Sequence, residues 1–326
     1  MKVTGDKVTG LILCYARIKN CLDLIRKIRN AGCDNVYVYI DGPKSEDIKI
    51  AQTELLRELE VCAAEIGIKI FVRKSVSNRG IAVSMIHGLD WFFAENRKGF
   101  ILEDDLVISS SFIPFIQDML TRYENDSRVF MVSGNRYLQE EIGQEAVSWC
   151  NYPQTWGWAT WSSRWAEMRN AYLNPPSLSS FFPFSPARSF WAAGSLYVKV
   201  RKVDTWDIPI ARYMRNLDVF CLLPPKNLVS NIGSDYFATH TTNLTFPMDY
   251  PKYEISDSNW AVRHDIQVMR SNASRMNHFL EKYVFHIKRK HVFLFLKSWK
   301  LVRKQNHLAN DLKKETECEE YIFLSA

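Results

Sequence analysis

The sequence predicts an α/β fold, a mostly parallel sheet flanked by helices. Through the first 133 residues, strand-length apolar runs alternate with segments of helical periodicity. Two of those runs end in carboxylates, at Asp41 and at Glu103-Asp104-Asp105. Sheets of this kind bind ligands at the carboxyl ends of their strands. Hydrophobic residues at 47% and aromatics at 13% of 326 residues supply a full core.

Residues 8–15 (VTGLILCY) read as a buried strand, after which Cys21, Leu24, Ile25 and Ile28 line a helix stopped near Gly32. Residues 35–41 form a second strand, broken by Gly42-Pro43, then 46–67 a helix and 68–72 a third strand. Ile81, Met85, Leu89 and Phe92 share one helix face before the strand that opens at Gly99. Past the acids, Ser109 to Ser111 can cap a helix carrying Phe112, Phe115, Ile116, Met119, Leu120 and Tyr123, with Pro114 tolerated in its first turn. Residues 128–133 form another strand, and from 134 to 201 the pattern loosens into aromatics and prolines.

Seven cysteines, an odd number without C-x-x-C spacing, indicate reduced thiols and neither a disulfide frame nor a zinc site. No run approaches the roughly 20 apolar residues of a membrane span, and residues 1–7 are polar rather than a signal peptide. The expected location is cytoplasmic, so the triplets at Asn125, Asn243 and Asn272 are read as chance. The formal charge of +6 sits in the tail: residues 281–305 hold eight Lys or Arg against one Glu. There Val292, Phe293, Phe295, Leu296 and Trp299 interleave with the basic residues. Two readings stand, an anionic membrane surface as partner with the protein peripheral on the inner face, or a helical appendage with its lysines in water. No nucleic-acid motif accompanies the charge.

Three adjacent acids repel one another, so the cluster is either solvated or held by a cation or several donors. Arg17 and Arg79 stand in loops on the same side, where guanidinium groups suit a diphosphate or simply face water. The 156–161 segment (WGWATW) concentrates indoles. It reads as a sugar-stacking wall, although the helical spacing of Trp158, Trp161 and Trp165 also suits core positions.

These residues resemble a family. Leu13-Cys14-Tyr15-Ala16-Arg17, Asp41, Leu102-Glu103-Asp104-Asp105-Leu106 and Trp156-Gly157-Trp158 with Trp165 look like a nucleotide-sugar glycosyltransferase of the GT-A fold. In detail they resemble the N-acetylglucosaminyltransferase I type and related bacterial polysaccharide transferases. The resemblance covers about the first 170 residues. It implies a GT-A catalytic domain over 1–255, with a nucleotide-sugar half (1–133) and an acceptor half (134–255), and a helical, basic extension over 256–326.

The resemblance further implies Asp105 as ligand of Mn²⁺ or Mg²⁺ on a UDP-sugar, Asp104 near the ribose, Glu103 toward the donor sugar and Asp41 on the uracil imide. Asp41 before Gly-Pro is equally an Asx-turn residue. Asp207, at a helix start, is the candidate general base of an inverting transfer, with an N-cap as its plainer role and Asp204 as its competitor. His240 is a candidate metal ligand or a hydrogen-bonded loop histidine. The expected function is metal-dependent sugar transfer to a glycan or lipid-linked acceptor in cell-surface polysaccharide synthesis. A sugar nucleotidyltransferase and a catalytically silent scaffold are the rivals. The former normally carries a Gly-rich loop after the first strand, which Tyr15-Ala16-Arg17-Ile18 is not.

Overall fold

The computed structural model describes residues 7–136, 146–174, 185–201, 204–233, 266–284, 287–288 and 319–324. Three β-α units open the chain: β1 (Thr9–Cys14), α1 (Ile18–Asn30), β2 (Asn35–Ile40), α2 (Glu46–Ile66), β3 (Lys69–Ser75) and α3 (Ile81–Glu95). β4 (Lys98–Glu103) then ends at the acids, with β1 pairing in parallel to both β2 and β4, and β2 to β3. Strand side chains alternate between two cores. Ile12, Val36, Val38, Phe100 and Leu102 join one, while Leu11, Tyr37, Tyr39 and Ile101 join the other. Burial on both faces makes these strands read as continuous apolar runs.

α2 shows how local signals set the ends of an element. The Ser45 side chain accepts from the Ile48 N–H, acids fill the first turn, and Gly67 closes the helix in a left-handed conformation (φ 62°). α4 (Phe112–Arg122) starts differently from expectation, because Ser111 makes no side-chain cap and the Phe112 N–H goes to the Ser109 carbonyl.

Between β4 and α4 lies β5 (Leu106–Ile108), and β6 (Val129–Ser133) follows α4. The loosely patterned region holds β7 (Ser148–Cys150), β8 (Trp158–Trp161), α5 (Ser162–Leu173), α6 (Pro186–Arg201), α7 (Asp207–Leu217), β9 (Phe220–Leu223) and β10 (Val229–Asn231). β8 inserts antiparallel between β4 and β6, so β6 and its parallel partner β9 point the same way as β4. β10 leaves the main sheet and pairs antiparallel with β5.

α8 (Ile266–Phe279) continues into a π-helical turn, Leu280–Val284. β11 (Glu319–Leu324) corrects the expectation of an all-helical extension, for it pairs antiparallel with β3 and completes a nine-stranded sheet in the order β11-β3-β2-β1-β4-β8-β6-β9-β7. Its EEYIFL alternation suits a strand: Ile322 and Leu324 pack on the core while Tyr321 and Phe323 stay exposed. α1, α2 and α4 cover one face of the sheet and α3, α5, α6 and α7 the other, while α8 gives Ala273 to the first core and Met276 to the second. Among the described residues, no helix is long and apolar enough to cross a membrane. Most of the basic 281–305 stretch lies outside them.

Candidate active site

A cleft of about 130 Å³ opens at the carboxyl ends of β1, β2 and β4. Tyr15, Arg17, Asp41, Lys44, Asn78, Gly80, Glu103, Asp104, Asp105 and Asp204 line it. The acids that looked alike in sequence have different neighbours.

Asp104 is a fastener. Its Oδ2 accepts from the backbone N–H of Tyr15 (2.7 Å) and of Arg17 (3.3 Å), and its Oδ1 from Arg17 Nη1 (3.1 Å). Only 5% exposed, it ties the start of α1 to the end of β4. The pairing also holds the Arg17 side chain. Asn20 reinforces the junction by donating to the Leu106 carbonyl (3.0 Å) and to that of Asp104.

Asp41 is a second fastener. Gly42 and Arg79 donate backbone N–H groups to Oδ1 (2.8 and 2.9 Å), while Asn78 Nδ2 and the Gly80 N–H donate to Oδ2 (2.8 and 3.2 Å). These four bonds fill the lone-pair sites of a carboxylate. Burial nevertheless raises its pKa, with the N–H donors pulling the other way. A Cβ on Gly42 would strike the Ser77 backbone, so glycine permits the close approach of the two loops. Arg79 is absent from the cleft lining: Nε donates to Ser75 Oγ (2.8 Å) and Nη1 meets His87 Nδ1 (2.6 Å).

Asp105 differs from both. Among the described residues its buried Oδ1 has no hydrogen-bond partner, and burial together with the charge of Asp104 lifts its pKa from 3.8 to about 6, against the pull of Arg17 and Asn231. β10 delivers its surroundings: the Ile232 N–H donates to the Asp105 carbonyl (2.8 Å), and the missing side chain of Gly233 leaves room for the carboxylate. Glu103, with the same neighbours, is pushed well above the usual carboxylate range by burial, then by Asp105, Asp104 and Asp207, with Arg17 opposing.

Among the described residues, no three His, Cys, Asp or Glu side chains gather as a ready-made metal cage. A hard cation that also takes phosphate oxygens needs only one or two protein carboxylates, and the unpartnered Asp105 oxygen fits that demand. His240 lies outside the described residues.

The indoles do not form a wall of the cleft. Trp158 is fully buried in β8 and stacks on Trp206 (centroids 5.5 Å apart, 22° between planes). Trp161 and Trp165 are also core residues, donating to the Leu120 carbonyl (3.2 Å) and to Asp90 Oδ1 (2.9 Å). Trp156 is half-buried against the core, and Gly157, at φ 60°, packs against Val229 and Phe112. None of Trp156, Gly157 and Trp158 lines the cleft. The core reading of these indoles is the one the packing supports.

The stack does set the opposite side of the site, since Trp206 immediately precedes α7. Asp204 reaches across to the start of α3, where Oδ2 accepts from the Ile81 N–H (2.9 Å) and Oδ1 from the Ala82 N–H (2.8 Å). It therefore caps a helix whose first N–H groups lie 123 and 122 residues upstream, next to Gly80 at φ 81°. Asp207, the first residue of α7, engages Oδ1 with Thr205 Oγ1 and the Ile208 N–H (2.8 Å). Its Oδ2 accepts no hydrogen bond among the described residues, and its charge is felt at Glu103.

Sequence reasoning missed Tyr15, Lys44, Asn78 and Asn231 as members of the site. Asn78 directly precedes Arg79 in sequence, and Asn231 lies two residues before Gly233. Tyr15 stood within the motif after the first strand without a role of its own, and Lys44 carried no signal. Their pairing, with the Lys44 N–H donating to Tyr15 Oη (3.2 Å), exists only in three dimensions. No protein-family model and no curated protein matches the chain in sequence.

Proposed function

We propose that this chain is a metal-dependent, inverting glycosyltransferase of the GT-A type. It takes a UDP-sugar as donor and a glycan or lipid-linked molecule as acceptor, at the cytoplasmic face in cell-surface polysaccharide synthesis. The observation that carries this reading is the buried, unpartnered Oδ1 of Asp105 at the end of β4, in a cleft over the carboxyl ends of parallel strands. Asp105 would hold Mn²⁺ or Mg²⁺, which when bound neutralises charge on the departing diphosphate.

The remaining residues position and deprotonate. Asp104 and Asp41 fix the loops that frame the donor, and Glu103 lines the floor toward the donor sugar. Asp207 Oδ2, at the first turn of α7, takes the proton of the attacking acceptor hydroxyl. A base so placed contributes roughly 10²- to 10⁴-fold in rate.

Thermal shift with UDP, GDP or CMP, each with and without Mn²⁺, followed by turnover of UDP-sugars, tests the reading. Stabilisation by UDP that requires Mn²⁺ is the expected result, and indifference to every nucleotide contradicts it. A binding scaffold without turnover is a second reading, favoured by the internal engagement of Asp41, Asp104 and Asp204. Nucleotide binding without transfer across a panel of UDP-sugars and acceptors would select it.

A further inference from the structure

Asp41 cannot be the group that reads a base edge, because four internal donors already occupy its two oxygens. The donor that meets its Oδ2 points to a different reader. Asn78 Nδ2 donates to Asp41 Oδ2 (2.8 Å) and to the Gly42 carbonyl (2.9 Å). Both partners are acceptors, so they fix which way the amide faces and use both of its hydrogens. Its Oδ1 accepts no hydrogen bond among the described residues, and Asn78 lines the cleft.

Position agrees with chemistry. Asn78 sits over the end of β2, and Asp105 at the end of β4, with β1 between them. Two strand spacings are about 10 Å. That span matches the separation of base and phosphates in a nucleoside diphosphate whose metal sits on Asp105. The Tyr15 ring, anchored by the Lys44 N–H, offers an aromatic surface along the way.

We propose that Asn78, through Oδ1, is the specificity-determining residue for the nucleobase, accepting the ring N3–H of uracil. The proposal rests on the glycosyltransferase reading above and deepens it. Cytosine presents an acceptor at N3, so its lone pair would oppose that of Oδ1 and leave a polar group unpaired. Asp41 then acts indirectly, as the positioning residue that holds Asn78.

The test is calorimetric affinity for UDP, CDP and GDP at saturating Mn²⁺. The unmodified protein should prefer UDP over CDP by tenfold or more, and Asn78→Ala should erase most of that preference. Asn78→Asp keeps an acceptor toward the cleft while losing the donors to Asp41. It should bind all three more weakly yet keep UDP ahead of CDP. A loop role alone would lower every affinity by one factor in Asn78→Ala, leaving the UDP to CDP ratio unchanged, and that result overturns the proposal. So does loss of the preference in Asn78→Asp, or its absence from the unmodified protein. If the unmodified protein binds no nucleotide, the glycosyltransferase reading falls as well. If it binds UDP and Asn78→Ala keeps the preference, only the role of Asn78 falls.

Discussion

On the β1–β4 side of the cleft, carboxylates are held by backbone N–H groups of loops that follow regular strands. On the α7 side they are carried by the first residue of α7 and the segment leading into it, beside the Trp158–Trp206 stack. Each side nevertheless contains a carboxylate whose oxygens are both engaged internally, and one with an oxygen left over. Asp41 and Asp104 fasten loops beside Asp105, and Asp204 caps α3 beside Asp207. What separates a structural acid from an available one is the set of donors around it. Residue type and spacing do not decide it.

The comparison breaks most sharply at Asp207. Asp207→Asn should leave nucleotide binding intact and lower transfer by about 10²-fold or more, measured as turnover of folded protein. Unchanged turnover would mean that the α7 side supplies no base. Trp158→Ala should act on stability, with a loss of about 3 to 5 kcal/mol in urea denaturation, because the indole is fully buried against Trp206. A sugar-stacking role would give the opposite pattern, weaker acceptor use at unchanged stability.

Smaller effects sharpen the division further. Asp204→Ala should cost about 1 kcal/mol, and Asp204→Asn very little, since Asn caps nearly as well as Asp. If Asp204→Asn instead loses turnover as steeply as expected for Asp207→Asn, the two residues exchange roles. Asp105 gives the smallest and most specific signal. Its pKa is higher in the folded protein, about 6 against 3.8, so folding favours the protonated form. That stabilisation is complete below 3.8 and is lost as pH rises through 6. Without metal, the melting temperature should carry a downward slope across that window, and Asp105→Asn should make the slope shallower.

Much of the β1–β4 side was legible because doubly buried strands and amphipathic helices write themselves as periodicity. The elements fall within a few residues of expectation, and the acids lie at a strand end as read. The α7 side was not legible. β8 is four residues long and its Trp158 packs on Trp206, 48 positions away, so no local pattern encodes it. Indole density in 156–161 marked a packing centre, and nothing in the sequence says which way an indole faces. Asp41 before Gly-Pro marked the end of β2, but three of its four donors come from Asn78, Arg79 and Gly80, across a helix and a strand. The strand at 319–324 was hidden for a similar reason, since its partner β3 lies some 250 residues upstream.

The central claim is that the unpartnered oxygen of Asp105 holds a cation through which a nucleoside diphosphate binds. Calorimetric titration of UDP into the unmodified protein and into Asp105→Asn, each at saturating Mn²⁺ and again with the metal chelated, tests it most directly. The account predicts binding in one of the four titrations, the unmodified protein with Mn²⁺. Equal UDP affinity in the two proteins, or affinity indifferent to chelation, would contradict it.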